Sequence, residues 1–65
     1  MNEEQAKAVA QAIGGEPWQS GGDIWLVLCR RADGKLTAVS DEAVCLYDND
    51  EAFESGRAVD TMMLH

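Results

Sequence analysis

The side chains best suited to chemistry are two thiols and one imidazole, and their spacing argues against a site. Cys29, Cys45 and His65, with an aspartate as the fourth group, would supply the ligands that zinc prefers. Structural zinc sites draw their ligands in closely spaced pairs, because one short turn then holds two ligands ready for a tetrahedral ion. No such pair occurs, and His65 is the terminal residue, where chains fray. We expect neither a metal nor a cofactor.

Catalytic residues are equally poorly supported. A nucleophilic Cys or Ser needs a base within hydrogen-bond reach and a third group that orients the base. The imidazole lies at the terminus, and the segment Ser40-Asp41-Glu42 has the composition of a turn, in which Ser and Asp bond their own backbone. The glycine pairs lack the strand and spacing of a phosphate-binding loop. The sequence predicts a protein that is not an enzyme.

One acidic segment opens like a calcium loop and then departs from it. Asp48-Asn49-Asp50 has oxygen ligands at the first positions, but Ala52, Phe53 and Val59 stand where a ligand, the invariant Gly and the final Glu are required. We interpret the segment as the cap of a short helix.

Length and charge limit the classes of partner. The chain has 65 residues, 46% of them hydrophobic, which predicts one domain over residues 1–65 with a small core. Twelve acidic residues against five basic ones give a net charge of −7. Direct binding to nucleic acid or to an anionic membrane is disfavoured by that charge. A neutral or basic protein partner, so far unknown, or a second copy fits better.

The location predicted for the protein is the cytoplasm. The N-terminus is acidic where a secretory signal would be basic, and no apolar stretch has the length of a membrane span. Cys29 and Cys45 lie in apolar, strand-like runs, which favours reduced, buried thiols over a disulfide between neighbouring strands.

The clearest structural pattern is an apolar strand, Ile24–Arg31, that enters a hairpin at Asp33-Gly34. Further strands are predicted at Leu36–Ser40 and Ala43–Tyr47, and a final one at Ala58–Leu64. The residues between the last two strands, 48–57, allow either parallel or antiparallel pairing, and we favour a mostly antiparallel sheet.

Two helices complete the pattern. Asn2 with Gln5 three residues later predicts a capped helix that ends at Gly14-Gly15 and presents a narrow, alanine-rich stripe. A second, short helix is predicted at Glu51–Ser55, with Phe53 facing inward. The predicted fold is therefore α+β in the order α-β-β-β-α-β, with three to four strands and the first helix packed on one face of the sheet.

The strand Ile24–Arg31 is apolar on both faces, so something must cover each of them. The first helix covers one face; the second helix, Trp18 or another chain must cover the other. Trp18 lies in a segment, residues 16–23, that its Pro, Gly and Ser content predicts to be a loop. Trp18 either folds back over the core or stays exposed as an anchor for a partner.

These observations favour a non-enzymatic protein-interaction module, either a homodimer or a small accessory subunit. Trp18 and the adaptable side chains of the last strand are the candidate contacts: Met62, Met63 and Leu64. The alternative is an acidic inhibitor that mimics nucleic acid and binds a basic or nucleic-acid-binding protein. Its candidate residues are the carboxylates of the acidic C-terminal half: Asp48, Asp50, Glu51 and Glu54.

Overall fold

A single antiparallel sheet carries two helices, one on each of its faces. The computed structural model describes residues 1–64. The elements are α1 (Glu3–Ile13), β1 (Glu16–Gly21), β2 (Ile24–Arg30), β3 (Leu36–Val39), β4 (Ala43–Tyr47), α2 (Asp50–Glu54) and β5 (Asp60–Met63). Each strand pairs with the next, so the five strands lie in the order β1-β2-β3-β4-β5. The α+β prediction is correct, and the sheet has one strand more than predicted.

The additional strand is β1, where the sequence predicted a loop. Residues 16–21 pair antiparallel with β2, from Glu16 opposite Leu28 to Gly21 opposite Ile24, with a bulge between Gln19 and Gly21. The loop prediction was wrong because it weighed local composition alone. An edge strand tolerates Pro and a bulge, since only one side of its backbone must pair.

α1 begins and ends as its sequence predicts. Asn2 and Gln5 form a capping box, and Gly14 adopts a left-handed conformation, with φ 75°, at the C-terminal cap. Gly15 then passes so close to β2 that an added Cβ would lie 2.7 Å from a Val27 methyl. Ala6 and Ala10 bury Val27, so small side chains let the helix lie directly on the sheet.

The second face of β2 is covered from within the chain. Leu28, Leu36 and Ala38 form a buried cluster, and Phe53 of α2 and Tyr47 of β4 pack against it. Phe53 faces inward, as predicted. Val27 is 0% and Leu28 1% exposed, on opposite faces of β2. This strand therefore needs no partner chain to complete its core.

The remaining element boundaries differ little from the predictions. β2 and β3 each stop one residue early, α2 is shifted by one residue towards the N-terminus, and β5 is shorter than Ala58–Leu64. Asn49 caps α2. β5 pairs antiparallel with β4, which resolves the choice that the sequence left open. Among residues 1–64, neither helix has the length and apolarity to cross a bilayer.

Candidate functional site

β5 forms one edge of the sheet and keeps apolar side chains in solvent. All four of its residues are exposed. Met62 and Met63 are each 60% exposed, and Leu64 and Val59 beside the strand are also exposed. Isolated apolar residues at a surface are common, but here they are consecutive in sequence. The candidate residues Met62, Met63 and Leu64 are therefore exposed apolar neighbours along one edge of the sheet.

The exposed side chains of β5 lie on both faces of the sheet. Met62 pairs with Val44 on the face that carries α1, and Met63 pairs with Ala43 on the face that carries α2. α1 packs on β1 and β2, and α2 packs on β4. The main contacts of both helices thus lie away from β5, and one exposed methionine remains on each face of this edge strand.

The backbone of β5 has groups that point away from β4. The Leu64 N–H donates to the Glu42 carbonyl at 2.9 Å. Because alternate residues of an antiparallel strand bond to the same neighbour, Met62 also directs its backbone groups towards β4. The Thr61 N–H donates instead to the Asp60 carboxylate at 2.9 Å. Thr61 and Met63 therefore direct their backbone groups outward. One of these groups, the Thr61 N–H, is bonded to the Asp60 carboxylate.

Trp18 lies at the opposite edge, in β1, and belongs to an aromatic cluster. Its ring meets Phe53 edge to face at 5.3 Å, and Phe53 meets Tyr47 in the same way at 5.3 Å. Burial raises the pKa of Tyr47. Trp18 is 37% exposed, so it both covers the core and presents part of its ring. The fold does not bring Trp18 together with Met62, Met63 and Leu64.

The four acidic candidate residues lie in and beside α2, and two of them form ion pairs within the chain. Arg30 binds Asp50 and lies 3.5 Å from Glu16, and its hydrogen bond to Asp50 raises the pKa of Arg30. Arg57 lies 3.6 Å from Glu51. Asp48 and Glu54 are exposed. The acidic segment is thus less negative than its composition indicates.

A surface hollow of about 400 Å³ lies where β2 begins, between Trp25, the N-terminus and the β3–β4 turn. The Met1 ammonium lies 2.8 Å from the Asp41 carboxylate at its rim and holds the pKa of Asp41 below its ordinary value. Sequence reasoning missed this pair, because the partners are far apart in the chain. An aspartate held ionised in this way is poorly suited to acid–base chemistry.

The sulfur and hydroxyl groups do not form a catalytic arrangement. Cys29 packs in the cluster beneath α1 and Cys45 in the cluster beneath Phe53, so these half-buried free thiols lie on opposite faces of the sheet. The Ser40 hydroxyl bonds the backbone of Ala43, as its turn predicts. His65 lies outside the described residues. Within residues 1–64 no group of His, Cys, Asp and Glu is placed to hold a metal ion.

Comparisons with known proteins give no assignment. The chain matches no family model, and the searches found no match among curated proteins or solved structures.

Proposed function

We propose that the protein is a non-enzymatic interaction module, a homodimer subunit or a small accessory subunit, that receives an extended strand along β5. The observation that carries this proposal is the pair of exposed methionines, one on each face of β5, beside outward-facing backbone groups. Strand addition at a sheet edge combines main-chain hydrogen bonds with contacts from alternating side chains. β5 offers both elements: backbone groups at Thr61 and Met63, and side chains at Met62 and Met63.

The test is affinity capture from the native cell with N-terminally tagged wild-type protein and two variants of one residue. Met63→Pro removes an outward N–H and puts the proline ring where a partner strand would lie, whereas Met63→Leu keeps the N–H and the apolar character. We expect Met63→Pro to abolish specific capture and Met63→Leu to retain it. Circular dichroism checks that both variants fold. Equal capture by all three proteins would refute binding along β5.

A second candidate is an acidic inhibitor of a nucleic-acid-binding protein. It is supported by the exposed carboxylates of Asp48 and Glu54 beside the net charge of −7, and the internal pairing of Asp50 and Glu51 weakens it. Asp48→Asn combined with Glu54→Gln would release a basic partner captured through this surface. The same double variant would leave binding along β5 unchanged.

A further inference from the structure

We propose that the strand received by β5 is the β5 of a second copy of this chain, antiparallel to the first, with a twofold axis beside Met62. This inference rests on the proposed function, because it names the partner of the same edge. The result is one continuous sheet across two chains, formed by identical surfaces. Such an isologous contact requires that the edge be complementary to itself.

The outward backbone groups meet that requirement in one register. Thr61 and Met63 flank Met62, so a copy that sets Thr61 opposite Met63 forms a hydrogen-bonded pair on each side of the axis. An axis at Thr61 would need the Val59 N–H, which already donates to the Leu46 carbonyl at 2.7 Å. An axis at Met63 would place Thr61 opposite residue 65, outside the described residues. The register centred on Met62 uses the outward groups of both Thr61 and Met63, and the Thr61 N–H must leave the Asp60 carboxylate to join it.

The side chains are compatible with the same register. Met62 meets its own copy on the α1 face, and Met63 lies beside the Thr61 of the copy on the α2 face. The thioether side chains are unbranched and adapt to such a contact. Met62 and Met63, which are now 60% exposed, would each be partly covered by side chains of the copy.

The charge distribution allows two acidic chains to meet here. Asp60 is the one charged residue in the segment 59–64. The proposed register places each Asp60 opposite the Leu64 of the other chain. The two carboxylates are then about 14 Å apart along the strands, beyond the roughly 8 Å screening length of physiological salt.

The other edge of the sheet makes the assembly stop at two chains. β1 contains Pro17 and a bulge between Gln19 and Gly21, both of which hinder the addition of a strand. Pairing of two β5 strands uses the available edge of each chain. Because one short strand buries less than the roughly 800 Å² per partner of a standard interface, we expect a dimer that dissociates on dilution.

Sedimentation equilibrium from micromolar to millimolar protein tests the inference. We expect a reversible monomer–dimer equilibrium that Met63→Pro weakens by about tenfold or more, since it removes hydrogen bonds on both sides of the axis. Met63→Leu should retain the equilibrium. Met62→Glu, which sets like charges together at the axis and leaves the β4 ladder intact, supplies the same test if Met63→Pro does not fold.

Disulfide trapping tests the register. In a Cys29→Ala, Cys45→Ala background, Met62→Cys should form a cross-linked dimer on mild oxidation, because facing residues of a non-hydrogen-bonded pair lie about 4.5 Å apart at Cα. Met63→Cys should not, because the two copies of residue 63 are offset by more than the roughly 7 Å that a disulfide can span. A cross-link at position 63 instead of 62 would overturn the register.

The outcomes separate this inference from the proposed function. A wild-type chain that stays monomeric at millimolar concentration overturns self-pairing, as does a dimer that survives both Met63→Pro and Met62→Glu. If the chain is monomeric but Met63→Pro abolishes capture of a cellular protein, β5 binds a strand of that protein and the proposed function stands. If Met63→Pro changes neither association nor capture, both proposals fail.

Discussion

The two edges of the sheet are built from different residue types and are tied to the fold to different degrees. β1 contains Pro17, polar residues and a bulge, and its large side chain, Trp18, packs on Phe53. β5 contains consecutive methionines that are each 60% exposed and belong to neither buried cluster. Pro and bulges are common means of preventing edge-to-edge association, so β1 has the features of a protected edge and β5 lacks them.

The contrast shows that apolar content does not by itself indicate the core. Trp18 contributes to folding from a segment with loop composition, and Met62 and Met63 are exposed although their segment is apolar. The position of a strand relative to the helices decides which apolar residues are buried. Substitutions at matching positions on the two edges can therefore separate stability from association.

The largest expected difference between the edges is in folding stability. Truncating a fully buried Phe or Trp to Ala lowers the free energy of unfolding by roughly 3–5 kcal/mol. Because Trp18 is partly exposed, we expect Trp18→Ala to lower it by about 2 kcal/mol. Met63→Ala, at an exposed site, should change the free energy of unfolding by less than about 0.5 kcal/mol. Urea unfolding followed by circular dichroism, at protein concentrations where the chain is monomeric, measures both. Equal losses would show that the edges are equally integrated into the core.

A smaller effect, on self-association, is expected from substituting Asp60, the acidic residue of β5. Its carboxylate accepts the outward Thr61 N–H, so Asp60→Ala frees that donor and removes a negative charge. We expect self-association to tighten by about three- to tenfold in sedimentation equilibrium.

Asp23→Ala is the matched control for the Asp60 variant. It removes the same charge from the β1–β2 turn, distant from β5 in the sheet order. An equal tightening in both variants would mean that net charge alone controls association. A tightening confined to Asp60→Ala would mean that the Thr61 N–H limits strand pairing.

The smallest effect is on the pH dependence of stability, through the β3–β4 turn that is bonded to the end of β5. The Met1 ammonium lowers the pKa of Asp41 below its ordinary value of 3.8, and the neighbouring Glu42 carbonyl accepts the Leu64 N–H. Because the folded-state pKa is lowered, the stabilisation is present above about pH 4 and is lost as the pH falls through the folded-state pKa. Urea unfolding from pH 6 to pH 2 should show a shallower acid loss in Asp41→Asn than in wild type. Parallel pH profiles would contradict this role of the pair.

The sequence predicted most elements of the fold because their signals are local. The capping box of Asn2 and Gln5 and the cap at Asn49 bond within one turn, so their residue types suffice to locate both helices. The strands β2, β3 and β4 are apolar runs bounded by turns, and their positions were predicted to within one residue. The sequence also singled out Met62, Met63 and Leu64 as candidate contacts, and the structure shows all three exposed.

The sequence by itself thus determined the fold class, both helices and the apolar character of β5. Only the tertiary structure decided that residues 16–21 form a strand, because that pairing depends on the free edge of β2 and not on local propensity. It also decided that Phe53, Tyr47 and Trp18 cover the second face of β2. Strand pairing and burial depend on residues that are distant in the sequence. For that reason only the tertiary structure could show that β2 is covered while the methionines of β5 remain exposed.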